Sequence, residues 1–221
     1  MLDRGGSPEY LVGGGGNTSC KDRDALWIKP SGTALATIRK QDFVPLDRTR
    51  IAKLYATRPP ADPTAREALV KEMLAAAVLP GHDGRPSVET PLHDSFAATY
   101  VIHTHPPRVN AMNCGRKGEA ACYELFPEAL WIPYTDPGYT LSMRVRADME
   151  AYAKRQGQQP AAVFIQNHGL FVGADTETEA MSLHEEILET LLEIFASQGL
   201  PLEVAVGDEP SKARVDAVAR I

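Results

Sequence analysis

Apolar residues recur along this chain in two rhythms, and the rhythm sorts its segments. Short runs rich in β-branched residues, each bounded by Gly, Pro, Asn or Asp, predict strands over 25–29, 34–38, 100–103, 130–133, 161–166 and 170–172. Spacing of three and four predicts helices over 47–57, 63–78, 88–98 and 143–155, with another after Pro106. The clearest helix begins near Thr176, with Glu177 and Glu179 in its first turn. Met181, Leu183, Ile187, Leu188, Leu191, Leu192, Ile194 and Phe195 then form one stripe before Gly199 stops it. Ahead of the first strand, a glycine run (13–16) followed by Asn17, Thr18 and Ser19 predicts a loop, and Pro30, Ser31 and Gly32 predict a turn after it. Strands interleaved with helices, without a repeat or low-complexity linker, point to one α/β domain: a central sheet with helices packed on its faces. Its core is expected over about 13–197, and a short tail, 201–221, would lie across the body or reach a neighbouring subunit.

Composition narrows the class. The 221 residues are 43% hydrophobic and 24% charged, proportions that exclude a disordered tail or a coiled coil. No run approaches the ~18 apolar residues of a membrane span, and the first ten residues lack the apolar stretch of a signal peptide, so a soluble, unexported protein is expected. Twenty-three Lys and Arg against 29 Asp and Glu give a net charge of −6. The basic residues form no stripe, so nucleic acid is not an expected partner. Three cysteines are too few for a disulfide framework and fit a reducing compartment, with the cytoplasm as the expected location.

Among the six histidines, His103 and His105 end an apolar run two residues apart. In a strand, residues i and i+2 face one side, so both imidazoles can reach one ion. His168 follows a second strand-like run and precedes Gly169, whose missing side chain leaves room at the strand end. Glu89, at the start of a predicted helix, offers a carboxylate. Three imidazoles and one carboxylate suit Zn²⁺ or a similar divalent ion with a position open to substrate. His93, one helical turn after Glu89, fits a supporting or packing role, and His82 and His184 fit solvated or structural ones.

Five motifs occur together: Gly15 to Ser19 (GGNTS), Lys29 to Thr33 (KPSGT), Pro86 to His93 (PSVETPLH), Val101 to Pro106 (VIHTHP) and Asn167 to Gly169 (NHG). In this order they resemble the class II aldolase/adducin family, over about residues 13–195. GGNTS and VETPLH look most like the sugar-phosphate aldolase portions of long bifunctional enzymes of the rhamnose pathway. The resemblance implies a mainly antiparallel sheet flanked by helices on both faces. It matches His103, His105 and His168 to the zinc-binding histidines, and Glu89 to the acid/base that also ligates the metal when substrate is absent. Gly16, Asn17, Ser31, Gly32 and Ser87 correspond to positions around a substrate phosphate. A glycine loop suits that task because converging backbone N–H groups meet no side chain.

Two departures stand out. The long helix that precedes the glycine motif in the family is almost absent, and the serine pair before the glutamate is Ser87 followed by Val88, which removes one phosphate donor. Lys29 is the candidate cation to compensate. Tyr123, Tyr134 and Tyr139 lie between the metal motifs, where aldolases use a tyrosine from a neighbouring subunit as proton donor. Half-buried packing is the expected role of all three. The implied activity is a metal-dependent aldolase that cleaves a ketose 1-phosphate to dihydroxyacetone phosphate and an aldehyde through a metal-stabilised enediolate. Zn²⁺ is the expected cofactor, with Mn²⁺ or Co²⁺ as alternatives, and a homotetramer the expected assembly. A sugar-phosphate dehydratase or 4-epimerase is the alternative within the family, although the epimerase usually has aspartate where this chain has Glu89. A non-catalytic interaction domain like the adducin head is the alternative outside catalysis, but such domains lack the metal histidines.

Overall fold

The computed structural model describes residues 7, 9–11 and 15–200. Its strands are Asn17–Lys21 (β1), Ala25–Ile28 (β2), Val44–Asp47 (β3), Tyr100–Thr104 (β4), Leu130–Ile132 (β5), Ala162–Ile165 (β6) and Gly169–Ala174 (β7). Its helices are Arg48–Ala56 (α1), Pro63–Ala77 (α2), Thr90–Ser95 (α3), Pro107–Asn113 (α4), Gly118–Leu125 (α5), Tyr139–Gln156 (α6) and Glu177–Ser197 (α7). The strands form one sheet in the order β3-β2-β1-β4-β7-β6-β5. Neighbours are antiparallel except β5 and β6, the one pair whose connection is a crossover helix, α6.

Side-chain alternation builds a core on each face. Val101, Val163, Ile165 and Phe171 meet Leu92 and Phe96 of the α3 segment and Leu141, Val145 and Met149 of α6. Their neighbours Ile102, Phe164, Leu170 and Val172 point the other way, onto Val109 of α4, Cys122 of α5, and Ile187 and Leu191 of α7. A third cluster seats α1 and α2 on Leu26, Ile28, Val44 and Leu46. The pairings Ser19↔Ile28 and Ser19↔Val101 place it on the same side as α3 and α6. Helices therefore cover both faces of a mainly antiparallel sheet, as expected.

Several local expectations fail for identifiable reasons. The loop predicted at residues 17–19 is strand β1: Asn17, Ser19 and Lys21 alternate inward at 4%, 2% and 5% exposure, so the period is there but the residues are polar. Strand β3 carries Pro45, which hides it from a strand pattern and which an edge strand tolerates. Residues 34–38 form turns rather than a strand; Leu35 and Ile38 are buried all the same. Helix α5 had no clear periodicity. Helix α3 ends at Ser95, short of residue 98, because Gln159 intervenes: its Oε1 accepts the Ala97 N–H at 2.6 Å and its Nε2 donates to the Ser95 carbonyl at 3.2 Å. Helix α6 begins at Tyr139, earlier than expected, where Glu67 Oε1 accepts the Tyr139 N–H at 3.1 Å. The tail 201–221 and Gly13 and Gly14 of the glycine run lie outside the described residues. Among the described residues no helix is long and apolar enough to cross a membrane.

Candidate functional site

Strand β4 sorts its last residues by parity. Thr104 turns toward α7, where its Oγ1 lies 2.6 Å from His184 Nε2, while His103 turns to the opposite face and stacks on Phe171 at 3.9 Å between ring centroids. His105, just past the strand end, keeps the side of His103, and their Nε2 atoms are 2.9 Å apart. His168 arrives from the turn between β6 and β7, with its Nε2 3.3 Å from that of His103. Asn167 before it adopts a left-handed φ of 57°, a conformation Asn tolerates better than most residues. Asn113, fully buried at the end of α4, holds the turn by donating from Nδ2 to the carbonyls of Ile165 at 3.1 Å and Gly169 at 3.0 Å. A Cβ on Gly169 would sit 2.5 Å from the Thr104 carbonyl and 2.6 Å from the His105 ring, so only glycine permits this approach.

Glu89 completes the cluster from the start of α3: its Oε1 is 3.1 Å from His168 Nε2 and 3.4 Å from His103 Nε2. His103 Nδ1 lies 3.0 Å from the Leu170 carbonyl, an acceptor, so Nδ1 carries the proton and Nε2 presents a lone pair. Burial pushes the His103 pKa down to about 3, and burial followed by the neighbouring His168 lowers that of His105. For Glu89 burial acts upward, but His103 and His168 outweigh it and hold the carboxyl below the usual carboxylate range. The outcome is an anionic carboxylate beside His103 and His105, whose rings are biased toward the neutral form. The bare Nε2 of His103 faces Nε2 of His105 at 2.9 Å and that of His168 at 3.3 Å, so the ligand atoms of all three rings come together beside Glu89 Oε1. A tetrahedral ion with bonds of about 2.0–2.1 Å would separate its ligands by about 3.3 Å. The donor set therefore fits a divalent metal.

The family model of the Class II Aldolase and Adducin N-terminal domain matches residues 6–196. The chain belongs to this family. Over 175 residues, 74% of its length, it is 30% identical to an uncharacterized oxidoreductase of Bacillus subtilis (strain 168), YuxG, and it spans only about a quarter of that protein, 24%. Among solved structures, the N-terminal class II aldolase domain of a conserved protein from Thermoplasma acidophilum superposes with a TM-score of 0.73 at 25% identity, covering 86% of this chain and 88% of that one. L-fuculose-1-phosphate aldolase from Thermus thermophilus superposes at 0.53 and 15% identity, covering 87% and 89%, a likeness of fold alone. Class II aldolases depend on a metal ion, and the three histidines of this chain are able to hold one.

Of the remaining predicted positions, Asn17 and Ser87 bond directly to Glu89. Asn17, paired with His103 across the sheet, donates from Nδ2 to Glu89 Oε2 at 2.5 Å and to Ser87 Oγ at 3.2 Å. Gly16 precedes it with φ +73° and packs so tightly under β4 that a Cβ would lie 2.8 Å from the His103 carbonyl. Ser31 joins through a bridge between Pro30 and Pro86: its N–H donates to the Arg85 carbonyl at 2.9 Å, and its Oγ accepts from the Arg85 guanidinium at 3.0 Å. Gly32, with φ +86°, has open space where a side chain would be. Lys29 is turned inward, its Nζ held by the Pro30 and Thr33 carbonyls, so the exposed cation beside Ser31 is Arg85, which sequence reasoning passed over. Of the three tyrosines, only Tyr134 adjoins the His168 turn, through its N–H to Gln166 Oε1 at 3.0 Å; Tyr123 is on α5, and Tyr139 packs beside α1 and α2. His93 is fully buried, with Nδ1 2.7 Å from Ser19 Oγ and Nε2 against Asn17 Oδ1. His82 is exposed and His184 is buried. Asn113 and Arg85 lie outside the motifs and nothing in their local sequence marks them, while Ser19 closes the GGNTS motif without a role assigned there.

Proposed function

We propose that this domain is a metal-dependent aldolase that cleaves a ketose 1-phosphate to dihydroxyacetone phosphate and an aldehyde. The observation that carries this proposal is the Glu89 carboxylate, 3.1 and 3.4 Å from two of the three imidazole nitrogens that would hold the ion. His103, His105 and His168 would bind the metal, and Zn²⁺ suits three neutral imidazoles with an open position, though Mn²⁺ and Co²⁺ accept the same ligands. When bound, the ion supplies a Lewis acid for the ketose carbonyl and for the enediolate left as the carbon–carbon bond breaks. In synthesis the Glu89 carboxylate would remove the proton from the carbon that becomes the enediolate carbon; in cleavage it would first take up a proton, balanced by the one the substrate hydroxyl gives up as the carbon–carbon bond breaks, and pass it to that carbon. A Schiff base is not needed, and neither buried lysine is placed for one: Lys21 Nζ donates to the His93 carbonyl at 2.8 Å, and Lys29 is held as described.

Gly16, Asn17, Ser31, Gly32 and Ser87 would form the phosphate pocket. Ser87 Oγ already accepts from Asn17 and from the Glu89 N–H at 3.2 Å, so its own O–H proton is directed to a ligand. Ser31 Oγ is in the same position because Arg85 donates to it, and Arg85 adds the charge that Val88, in place of a second serine, cannot. The assembly that fits this reading is a homotetramer with sites at subunit boundaries, consistent with exposed Val88 next to Glu89 and exposed Tyr134 beside the His168 turn. Light scattering tests the assembly. The activity is tested by assaying metal-replete protein against a panel of ketose 1-phosphates. Released dihydroxyacetone phosphate supports the aldolase, whereas a dehydrated or epimerised product without it overturns that assignment.

A further inference from the structure

We propose that His93 is a positioning residue for Glu89 and acts through the side chain of Asn17. The inference rests on the acid/base role given to Glu89 above, and it follows from which atoms in the buried chain Ser19–His93–Asn17–Glu89 are able to donate. A carboxylate oxygen only accepts, so the atom of Asn17 that lies 2.5 Å from Glu89 Oε2 is the amide nitrogen. That nitrogen also donates to Ser87 Oγ at 3.2 Å, which uses both of its protons. Asn17 Oδ1 consequently faces the opposite way, onto His93 Nε2. A carbonyl oxygen cannot donate, so Nε2 carries the imidazole proton. A fully buried imidazole with no carboxylate on either nitrogen is neutral, and burial pushes the His93 pKa well below its usual value. Nδ1 is therefore bare and accepts the Ser19 hydroxyl proton at 2.7 Å.

Donation runs in one direction, Ser19 to His93 to Asn17 to Glu89. Its effect is to fix which face of the Asn17 amide the carboxylate meets. Without a donor on Oδ1 the amide is free to rotate by half a turn, and an oxygen would then oppose a carboxylate oxygen. With the donor in place Glu89 Oε2 is tethered, and Oε1 is left directed at the histidine cluster. The fold supports the relay: His93 lies one turn after Glu89 on α3, Ser19 and Asn17 are alternate residues of β1, and the His93 ring stands edge-on to Phe171 at 5.5 Å, the ring on which His103 stacks.

Two measurements test the proposal. In wild-type protein labelled with ¹⁵N, long-range proton–nitrogen correlation spectra report the His93 tautomer at neutral pH, independently of any activity. A proton on Nε2 with bare Nδ1 is expected; a proton on Nδ1 overturns the proposal. In steady-state kinetics on the ketose 1-phosphate that the panel identifies, His93→Leu is expected to lower kcat about 10–100-fold, the size typical of removing a supporting partner, with KM within about threefold. His93→Gln, whose amide can still donate to Asn17, should recover most of that loss. A His93→Leu enzyme within threefold of wild type in kcat, a change confined to KM, or a His93→Gln enzyme as impaired as His93→Leu would each refute the role. If wild type cleaves no ketose phosphate, the aldolase proposal fails, while the tautomer still decides the relay.

Discussion

Replacing Asn113 by Ala should loosen the metal centre from a distance. Asn113 is fully buried and does not reach the ion position, yet its Nδ2 bonds the carbonyls on both sides of the turn that presents His168, at 3.1 and 3.0 Å. Truncation removes both bonds at once. A buried carbonyl left without a donor costs about 1–3 kcal/mol. The Ile165 carbonyl keeps the His168 N–H at 3.1 Å, so the loss is greatest at Gly169. Truncation also removes Asn113 Oδ1, itself buried without a partner, which offsets part of the loss. The net expectation is about 2 kcal/mol, which at this chain length lowers Tm by roughly 4–8 °C. Metal affinity should fall about 10–100-fold, because supporting groups of that kind orient the ligand they hold. Thermal unfolding gives the first number and competition with a chromogenic chelator the second. A folded Asn113→Ala protein with wild-type affinity would refute the view that the clamp sets His168, whatever its Tm.

Other expectations concern the ligands, the proton carrier, the anion pocket and pH. His105→Ala should no longer retain a stoichiometric metal ion by elemental analysis; a full equivalent of tightly bound metal would remove the proposed site. Glu89→Gln should keep the fold and metal while kcat drops ~10²–10⁴-fold, and turnover within a few-fold of wild type would reduce Glu89 to a spare ligand. Arg85→Gln should raise KM for a phosphorylated ketose about tenfold with kcat little changed, as expected on losing a charge-assisted contact worth about 1.4 kcal/mol; an unchanged KM would exclude Arg85 from the pocket. Burial lowers the pKa of His184 to about 4. The unfolded chain takes up that proton near ~6.5, so it binds more protons than the folded one between these values. The resulting stability is complete above ~6.5 and is lost, at about 1.4 kcal/mol per pH unit, as pH falls toward 4. Urea titrations of wild type and His184→Gln at equal metal should differ by one proton in that window, and identical slopes would contradict the burial of His184.

Sequence alone determined the features that repeat or that bring their own stereochemistry. The stripe and the acidic first turn of α7 were legible because a helix must put residues three and four apart on one face, and its capping box at Thr176 and Glu179 formed as those residues dictate. His103 and His105 were legible as a pair because strand alternation fixes their shared side. Tertiary structure decided what pairs with what. Strand β1 was invisible because its inward residues, Asn17, Ser19 and Lys21, are polar, and a hydrophobic pattern is blind to a strand that faces a site instead of a core. The end of α3 depends on Gln159, which is remote in sequence, and the shape of the His168 turn depends on Asn113. Arg85 stands beside Ser31 where Lys29 was expected, because a lysine amine within reach of two carbonyls turns inward while the guanidinium across the bridge reaches Ser31. Hydrogen-bond polarity in a buried site is a property of neighbours in space. A sequence lists the donors and acceptors, and only packing decides which of them meet.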